Sequence, residues 1–249
     1  MANITIKESR VLNLREFTGT DGRSWKGAEL LWQGDGGAAF SPGQFLMAAR
    51  KSKSFPWATP LTIQKKSGEG FWVCLHPNSP LWEVSAHEAL TLWGPCGTGL
   101  ALERDFFAVS DAAGSLFIRS FAEQKQCKGW YILGQVQDSP LFTGQEIQKI
   151  KAMEEVWEMA LAKDTVTEFL VALPMNLARK WKENAPAAIG LRTRIFTGVK
   201  VGCGIGACRG CYIDSSALPQ GIPVCQEGPF LPAMSIDYEK DQKFLAHYL

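Results

Sequence analysis

The sequence predicts a three-part chain: an antiparallel β-barrel, a parallel α/β domain and a small cysteine-bearing tail. Three observations carry this expectation. Six short apolar or alternating runs, separated by turn-forming residues, occupy residues 4 to 94. From about residue 100, apolar runs of strand length alternate with segments of helical periodicity. From about Leu191 the periodicity fades except at the end of the chain, and Val201 to Cys211 reads VGCGIGACRGC, with three cysteines and four glycines.

The first six runs are ITIKESRVLNL, AELLWQG, GQFLMAA, PLTIQKK, GFWVCLH and ALTLWG. GTDGRS, GDGGAAFSPG and KSGEG lie between some of them and supply the glycine, proline and aspartate that reverse a chain. Short strands at regular spacing close most simply into a small barrel, here assigned to residues 1–99.

Residues 100–190 read as the α/β part. DFFAVSD, GWYILGQ and TVTEFLVALP are strands. GSLFIRSFAEQKQC is a helix, with Leu116, Ile118 and Phe121 apolar and Glu123 and Lys125 exposed. GQEIQKIKAMEEVWEMALAK is expected to be one long amphipathic helix, apolar at Ile147, Ile150, Met153, Val156, Trp157 and Ala160. NLARKWKENAP is a short helix stopped at Pro186. Strands alternating with helices imply a parallel sheet. Residues 191–249 form the cysteine-bearing part. The chain contains no internal repeat and no low-complexity segment.

Composition narrows the partners. Of 249 residues, 46% are hydrophobic, enough for a substantial core. Lys and Arg number 26 against 25 Asp and Glu, which gives no field for a nucleic acid or a membrane surface. MANITIKESR has no apolar stretch after a basic start, so no signal peptide is expected, and no run of eighteen apolar residues offers a spanning helix. Seven cysteines in such a chain read as reduced thiols or metal ligands in the cytoplasm. The nine tryptophans serve core packing or a protein interface, and sequence does not separate the two.

Cys203, Cys208 and Cys211 make C-x4-C-x2-C, and Cys225 follows after thirteen intervening residues. This is the plant-type spacing for a [2Fe–2S] cluster, in which four thiolates hold two irons. The loop must wrap closely and aim amide N–H groups at negatively charged sulfur, which Gly202, Gly204, Gly206 and Gly210 permit. Two alternatives stay open. Four cysteines can hold zinc, although only Cys208–Cys211 has the spacing of a zinc hairpin. A redox dithiol at Cys208–Cys211 leaves Cys203 and Cys225 without a role. Cys74, Cys96 and Cys127 read as small packing residues.

With GCGIGACRGC and CQEGPFL in its tail, SPGQFLM in the barrel, GPCGTGL at the barrel exit and ALPMNLARKW late in the α/β part, the chain resembles the electron-transfer subunit of dihydroorotate dehydrogenase B. That family lies within the wider ferredoxin-reductase group, and similar modules occur in subunits of anaerobic sulfite reductases, cytoplasmic hydrogenases and bifurcating transhydrogenases. The resemblance implies a flavin-reductase-type barrel that binds FAD, a nucleotide-binding-like α/β domain for NAD(P)H, and a C-terminal [2Fe–2S] domain that passes single electrons to a catalytic partner. Carried over residue by residue, it places FAD contacts at Pro60, Leu61, Thr62, Gly97 and Thr98, and cluster ligands at Cys203, Cys208, Cys211 and Cys225. GPCGTG taken alone is a structural turn.

The sequence departs from the family at both nucleotide sites. The flavin motif is Arg-Pro-x-Ser, and here it reads Thr59-Pro60-Leu61-Thr62. An uncharged Thr59 forfeits a charge-assisted contact to the pyrophosphate, worth about 1.5–3 kcal/mol; Arg50 or Lys53 upstream are candidate substitutes. The second flavin loop, glycine-rich in the family, is HPNSP here, and proline has no N–H to give. The nicotinamide loop, close to V-G-G-G-I-G in the family, reads Val109-Ser110-Asp111-Ala112-Ala113-Gly114. Asp111 is expected to cap the following helix, and the domain is expected not to use NAD(P)H.

No nucleophile motif surrounds His76, His87 or His247, and G-x-S-x-G is absent. Glu154, Glu155 and Glu158 read as the wet face of a helix. The end segment DYEKDQKFLAHYL carries Tyr238, Phe244, Leu245, Tyr248 and Leu249, to dock on its own subunit or on a partner. Three functions follow. The chain is expected to be an accessory electron-transfer subunit of a multi-subunit oxidoreductase, without substrate chemistry of its own. The alternatives are a stand-alone NAD(P)H:FAD:[2Fe–2S] reductase, and a non-catalytic assembly subunit on a degenerate reductase scaffold.

Overall fold

The computed structural model describes residues 5–19, 21–32, 40–51, 58–68, 70–135, 146–162 and 168–240. All six expected barrel strands are present: β1 (Thr5–Thr18), β2 (Ser24–Leu31), β3 (Phe45–Arg50), β4 (Thr59–Ser67), β5 (Gly70–Leu75) and β6 (Ala89–Cys96). They close in the order β1-β2-β5-β4-β3-β6, antiparallel throughout, so no edge strand is left open. Alternation sends Val11, Ala28, Leu30, Leu46, Leu61, Val73 and Leu92 inward, each at most 1% exposed.

The second body is a six-stranded sheet built from β7 (Phe106–Ser110), β8 (Cys127–Leu133), β9 (Ile147–Ile150), β10 (Glu168–Ala172), β11 (Thr193–Phe196) and β14 (Phe230–Pro232), in the order β14-β11-β10-β7-β8-β9. Every pair is parallel except β11–β14. Helices α1 (Ser115–Ala122), α2 (Met153–Ala162), α3 (Met175–Asn184) and the short α4 (Ala187–Gly190) connect the strands. The cysteine-bearing part adds a two-stranded ladder, β12 (Tyr212–Ile213) with β13 (Ile222–Pro223), and α5 (Val224–Glu227). Two strands of the central sheet, β11 and β14, therefore come from beyond residue 190.

One expectation is corrected. The long helix over residues 144–163 is a strand followed by a shorter helix: β9 pairs with β8, Trp130 opposite Ile147, and α2 starts only at Met153. The cause is local. The Glu155 carboxylate accepts hydrogen bonds from the N–H groups of Lys151 (2.9 Å) and Ala152 (3.0 Å), a cap that fixes the helix start there. Glu155 is thus a cap as well as part of a wet face.

The two bodies share one apolar cluster, in which barrel residues Phe17, Trp25, Phe45, Met47 and Cys96 join the sheet core. The buried Gln64 amide on β4 donates to the Leu116 carbonyl on α1 over 2.8 Å, a polar link between barrel and sheet domain. In the sheet domain the fully buried Trp181 donates its indole N–H to Thr193 Oγ1 (3.0 Å), and that hydroxyl donates to Ile189 O (2.8 Å). No helix among the described residues is long and apolar enough to cross a membrane.

Candidate metal centre

Cys203, Cys208 and Cys211 lie on the loop between β11 and β12, and Cys225 lies in α5. All seven cysteines of the chain are free thiols. In the tail Cys203 neighbours Cys208 and Cys211 neighbours Cys225. Backbone donors surround them. Gly206 N–H donates to Cys225 Sγ (3.1 Å), Ile205 and Cys208 N–H to Cys203 Sγ (3.5 and 3.4 Å), and Gly210 N–H to Cys208 Sγ (3.4 Å). The amides thus point at sulfur, as the glycine pattern implies.

This wrapping sets the acidity of the thiols. Burial alone would raise Cys203, but hydrogen bonds from the amides of Ile205, Cys208 and Ala207 and from the Cys208 side chain outweigh it and hold the thiol below its ordinary range. The Cys225 thiol donates to Cys211 and pulls it down to about 6; Cys225 is pushed up by that same bond, by burial and by the Cys211 charge. Thiolate is the metal-binding form, so the site is electronically prepared for a cation. Among the described residues, no three His, Cys, Asp or Glu side chains converge as a single ion requires.

The barrel exit grips both arms of this set. Trp93 on β6 donates its indole N–H to Cys203 O (2.9 Å), and Gly97 N–H donates to Cys225 O (2.7 Å). Thr98 adds its N–H to Gly228 O (2.7 Å) and its hydroxyl to Gln226 O (2.8 Å). Gly204 (φ +74°) makes the contact close: a Cβ there would sit 2.6 Å from Met47 Cγ and 3.0 Å from Cys96 Sγ. Cys96 is buried beside the site, and its thiol is raised to about 12 by burial and by the charges of Cys203 and Cys211. Sequence reasoning gave Cys96 a packing role and missed its place; no local signal spans the more than one hundred residues between them.

Next to the centre lies a cavity of about 1010 Å³, formed where barrel, sheet domain and cysteine loop meet. The expected flavin-contact residues Pro60, Leu61 and Thr62 line it, together with Thr59, His76, Asn78, Ser79 and Pro80, and Cys208, Gly202 and Gly210 form the wall toward the cysteines. Gly97 and Thr98 are not on its wall; their donors are spent on the C-terminal segment. Arg50 is engaged with Glu88 through two hydrogen bonds (2.6 and 3.0 Å), and Lys53 lies outside the described residues. The apolar walls and the size suit an isoalloxazine ring, whereas a diphosphate finds no arginine at position 59.

The expected nicotinamide turn is closed by its own hydrogen bonds; Asp111 ties this turn and is not the cap of α1, whose N-cap is Gly114 with no side-chain cap bond. Asp111 Oδ1 accepts the Gly114 N–H (2.6 Å), and Asp111 O accepts the Ser115 N–H (3.1 Å). Gly114 remains glycine for packing, since a Cβ there would strike the Ala172 carbonyl oxygen. Burial raises the Asp111 carboxyl despite that amide bond. His87 sits at a turn with φ +66°, and its N–H donates to Val11 O (2.7 Å). His247 and the end segment from residue 241 lie outside the described residues, while Tyr238 is buried and has Lys182 Nζ 5.2 Å from its ring centroid.

Comparison with solved structures gives the class. Phthalate dioxygenase reductase, described as a modular structure for electron transfer from pyridine nucleotides to [2Fe–2S], superposes with a TM-score of 0.59 at 12% identity over 96% of this chain and 97% of that one. Ferredoxin–NADP+ reductase from Plasmodium falciparum gives 0.57 at 12% identity over 77% and 96%. The FAD-apo ferredoxin reductase of carbazole 1,9a-dioxygenase gives 0.53 at 17% identity over 77% of this chain, which spans 65% of that reductase. At these identities the likeness establishes fold: the chain has the ferredoxin-reductase fold. Its tail is more specific, for residues 200–237 match the iron–sulfur cluster binding domain of dihydroorotate dehydrogenase B. The chain thus has the ferredoxin-reductase fold, and its tail is similar to an iron–sulfur cluster binding domain. Comparison with curated protein sequences returned no match.

Proposed function

We propose that the chain is the electron-transfer subunit of a multi-subunit oxidoreductase, with Cys203, Cys208, Cys211 and Cys225 as ligands of a [2Fe–2S] cluster. The observation that carries this is the set of loop amides aimed at the cysteine sulfurs, Ile205 and Cys208 N–H at Cys203, Gly206 N–H at Cys225 and Gly210 N–H at Cys208. Amide donors around four cysteines at the C-x4-C-x2-C spacing suit a sulfide-bearing cluster of two irons better than a zinc hairpin. Such a cluster supplies one-electron transfer. The chain's own residues do the rest. The loop amides neutralise sulfur charge, the barrel exit holds the two arms at fixed spacing, and the exposed Cys208 brings the site to both the cavity and the surface.

The cavity, and with it Pro60, Leu61 and Thr62, is read as the slot of a flavin ring that exchanges electrons with the cluster. A stand-alone NAD(P)H reductase is disfavoured because the Asp111 carboxylate takes the Gly114 amide and would face the phosphates of a dinucleotide. The catalytic partner performs the substrate chemistry. Anaerobic purification tests the reading: about two irons and two labile sulfides per chain, with a rhombic EPR signal on reduction, are expected. A colourless protein holding zinc would overturn the relay, and co-purification with no oxidoreductase subunit would overturn the assignment as a subunit.

A further inference from the structure

The cavity can recognise a flavin ring but offers little to a dinucleotide tail. In the loop His76–Pro80, Pro77 and Pro80 have no N–H. The amides of Asn78 and Ser79 are satisfied by His76: Asn78 N–H donates to His76 Nδ1 (3.1 Å) and Ser79 N–H to His76 O (2.8 Å). The next two follow suit, with Leu81 N–H on Ser79 Oγ (3.1 Å) and Trp82 N–H on Ser79 O (2.9 Å). Such a loop turns few amides toward a diphosphate; the polar atoms it and the motif leave without a partner are His76 Nε2 and Thr59 Oγ1, which suffice for one phosphate better than for two. Edge-to-face packing on Trp25, with ring centroids 5.0 Å apart, fixes the His76 ring in this arrangement. The motif residue Thr59 is uncharged, and Arg50 is held by Glu88. Among the described residues that line the cavity, Lys200 alone is a lysine, arginine, aspartate or glutamate, and it is exposed.

We propose that this cavity takes a flavin of the mononucleotide class, held by its isoalloxazine ring and by at most one phosphate on Lys200, and that it does not select for the diphosphate of FAD. This rests on the reading of the cavity as a flavin slot, and not on the presence of the cluster. Apolar walls from Leu61, Phe117 and Phe230 bury the ring, and a single lysine on the lining matches a tail with a single phosphate.

Equilibrium dialysis of the flavin-stripped full chain against riboflavin, FMN and FAD tests it, with iron and labile sulfide measured on the same samples. FMN is expected to bind at least as well as FAD. A charge-assisted diphosphate site would favour FAD by about tenfold or more, and that result would overturn the proposal. Lys200→Gln is expected to reduce FMN affinity to that of riboflavin and to leave riboflavin unchanged; an unchanged FMN affinity removes Lys200 from the site. Thr59→Arg is expected to create a preference for FAD. Binding of no flavin also overturns the proposal, and if the iron content is intact the electron relay stands without it.

Discussion

The indole N–H of Trp93 donates to the carbonyl oxygen of Cys203 over 2.9 Å, joining the sixth barrel strand to the first cysteine of the metal loop. Together with the bond from Gly97 to Cys225, it means that one short barrel segment, residues 93–98, sets the distance between the two cysteine-bearing arms. Trp93→Phe keeps most of the ring and removes the donor. It is expected to cost about 0.5–1.5 kcal/mol in thermal unfolding. Iron transfer to a chelator should quicken several-fold, with far-UV circular dichroism unchanged.

Gly204→Ala tests the close approach behind that bond. A methyl group would meet Met47 Cγ at 2.6 Å and Trp93 Nε1 at 3.1 Å, at a φ of +74°. Crowding of this kind costs about 1–3 kcal/mol, with backbone strain in addition. Gly68 is the control, with φ +38° and nothing within 4 Å of a built Cβ. Gly68→Ala should lower the melting temperature slightly and keep full iron content, whereas Gly204→Ala should lose much of its iron.

Serine in place of cysteine separates ligands from packing thiols. Cys203→Ser, Cys208→Ser, Cys211→Ser and Cys225→Ser are each expected to bring iron below half of the wild-type stoichiometry or to alter the EPR signal. Cys127→Ser should leave both unchanged, since burial, the chief influence on its thiol, raises it away from the thiolate form.

Asp111 gives a pH signature. Its carboxyl is raised above the ordinary 3.8 in the fold, chiefly by burial. The folded chain then holds a proton that the unfolded chain has released. The Asp111 contribution to stability is therefore greatest below the unfolded value and is lost as pH rises through the folded one. Asp111→Asn keeps an oxygen for the Gly114 amide and has no charge to bury. Urea unfolding should show the variant gaining on wild type as pH climbs from acid to neutral; a gap independent of pH would contradict this account.

Glu155→Ala removes the cap that separates β9 from α2. A loss of about 0.5–2 kcal/mol is expected in thermal unfolding, with iron content intact because the cap lies far along the chain from the cysteines.

How much of this was legible from the sequence depends on the range of each interaction. The six barrel strands were readable because alternation and turn residues act over a few positions, as in GFWVCLH after KSGEG. The likeness of the tail to an iron–sulfur cluster binding domain was readable for the same reason, since C-x4-C-x2-C is a local statement. Ile147 and Ile150 misled, because a spacing of three serves a helix as well as a short strand, and the decision came from β8 alongside and from the Glu155 cap. The grip of Trp93 and Gly97 on the cysteines was invisible, because it joins segments that only the closed barrel brings together. GPCGTG was noticed, but its tail end, Gly97 and Thr98, turned out to hold the C-terminal segment and not to line the cavity.

The antiparallel pairing of β14 with β11 has a practical outcome for anyone who would cut the chain. A fragment ending at residue 190 would strip away two strands and leave β10 as an open margin, with Phe169, Leu170 and Val171, now at most 2% exposed, beside bare backbone. Such a piece invites self-association, and the redox segment expressed separately would lack the surface it is stitched to. The barrel, the sheet and the cysteine-bearing tail are best expressed together.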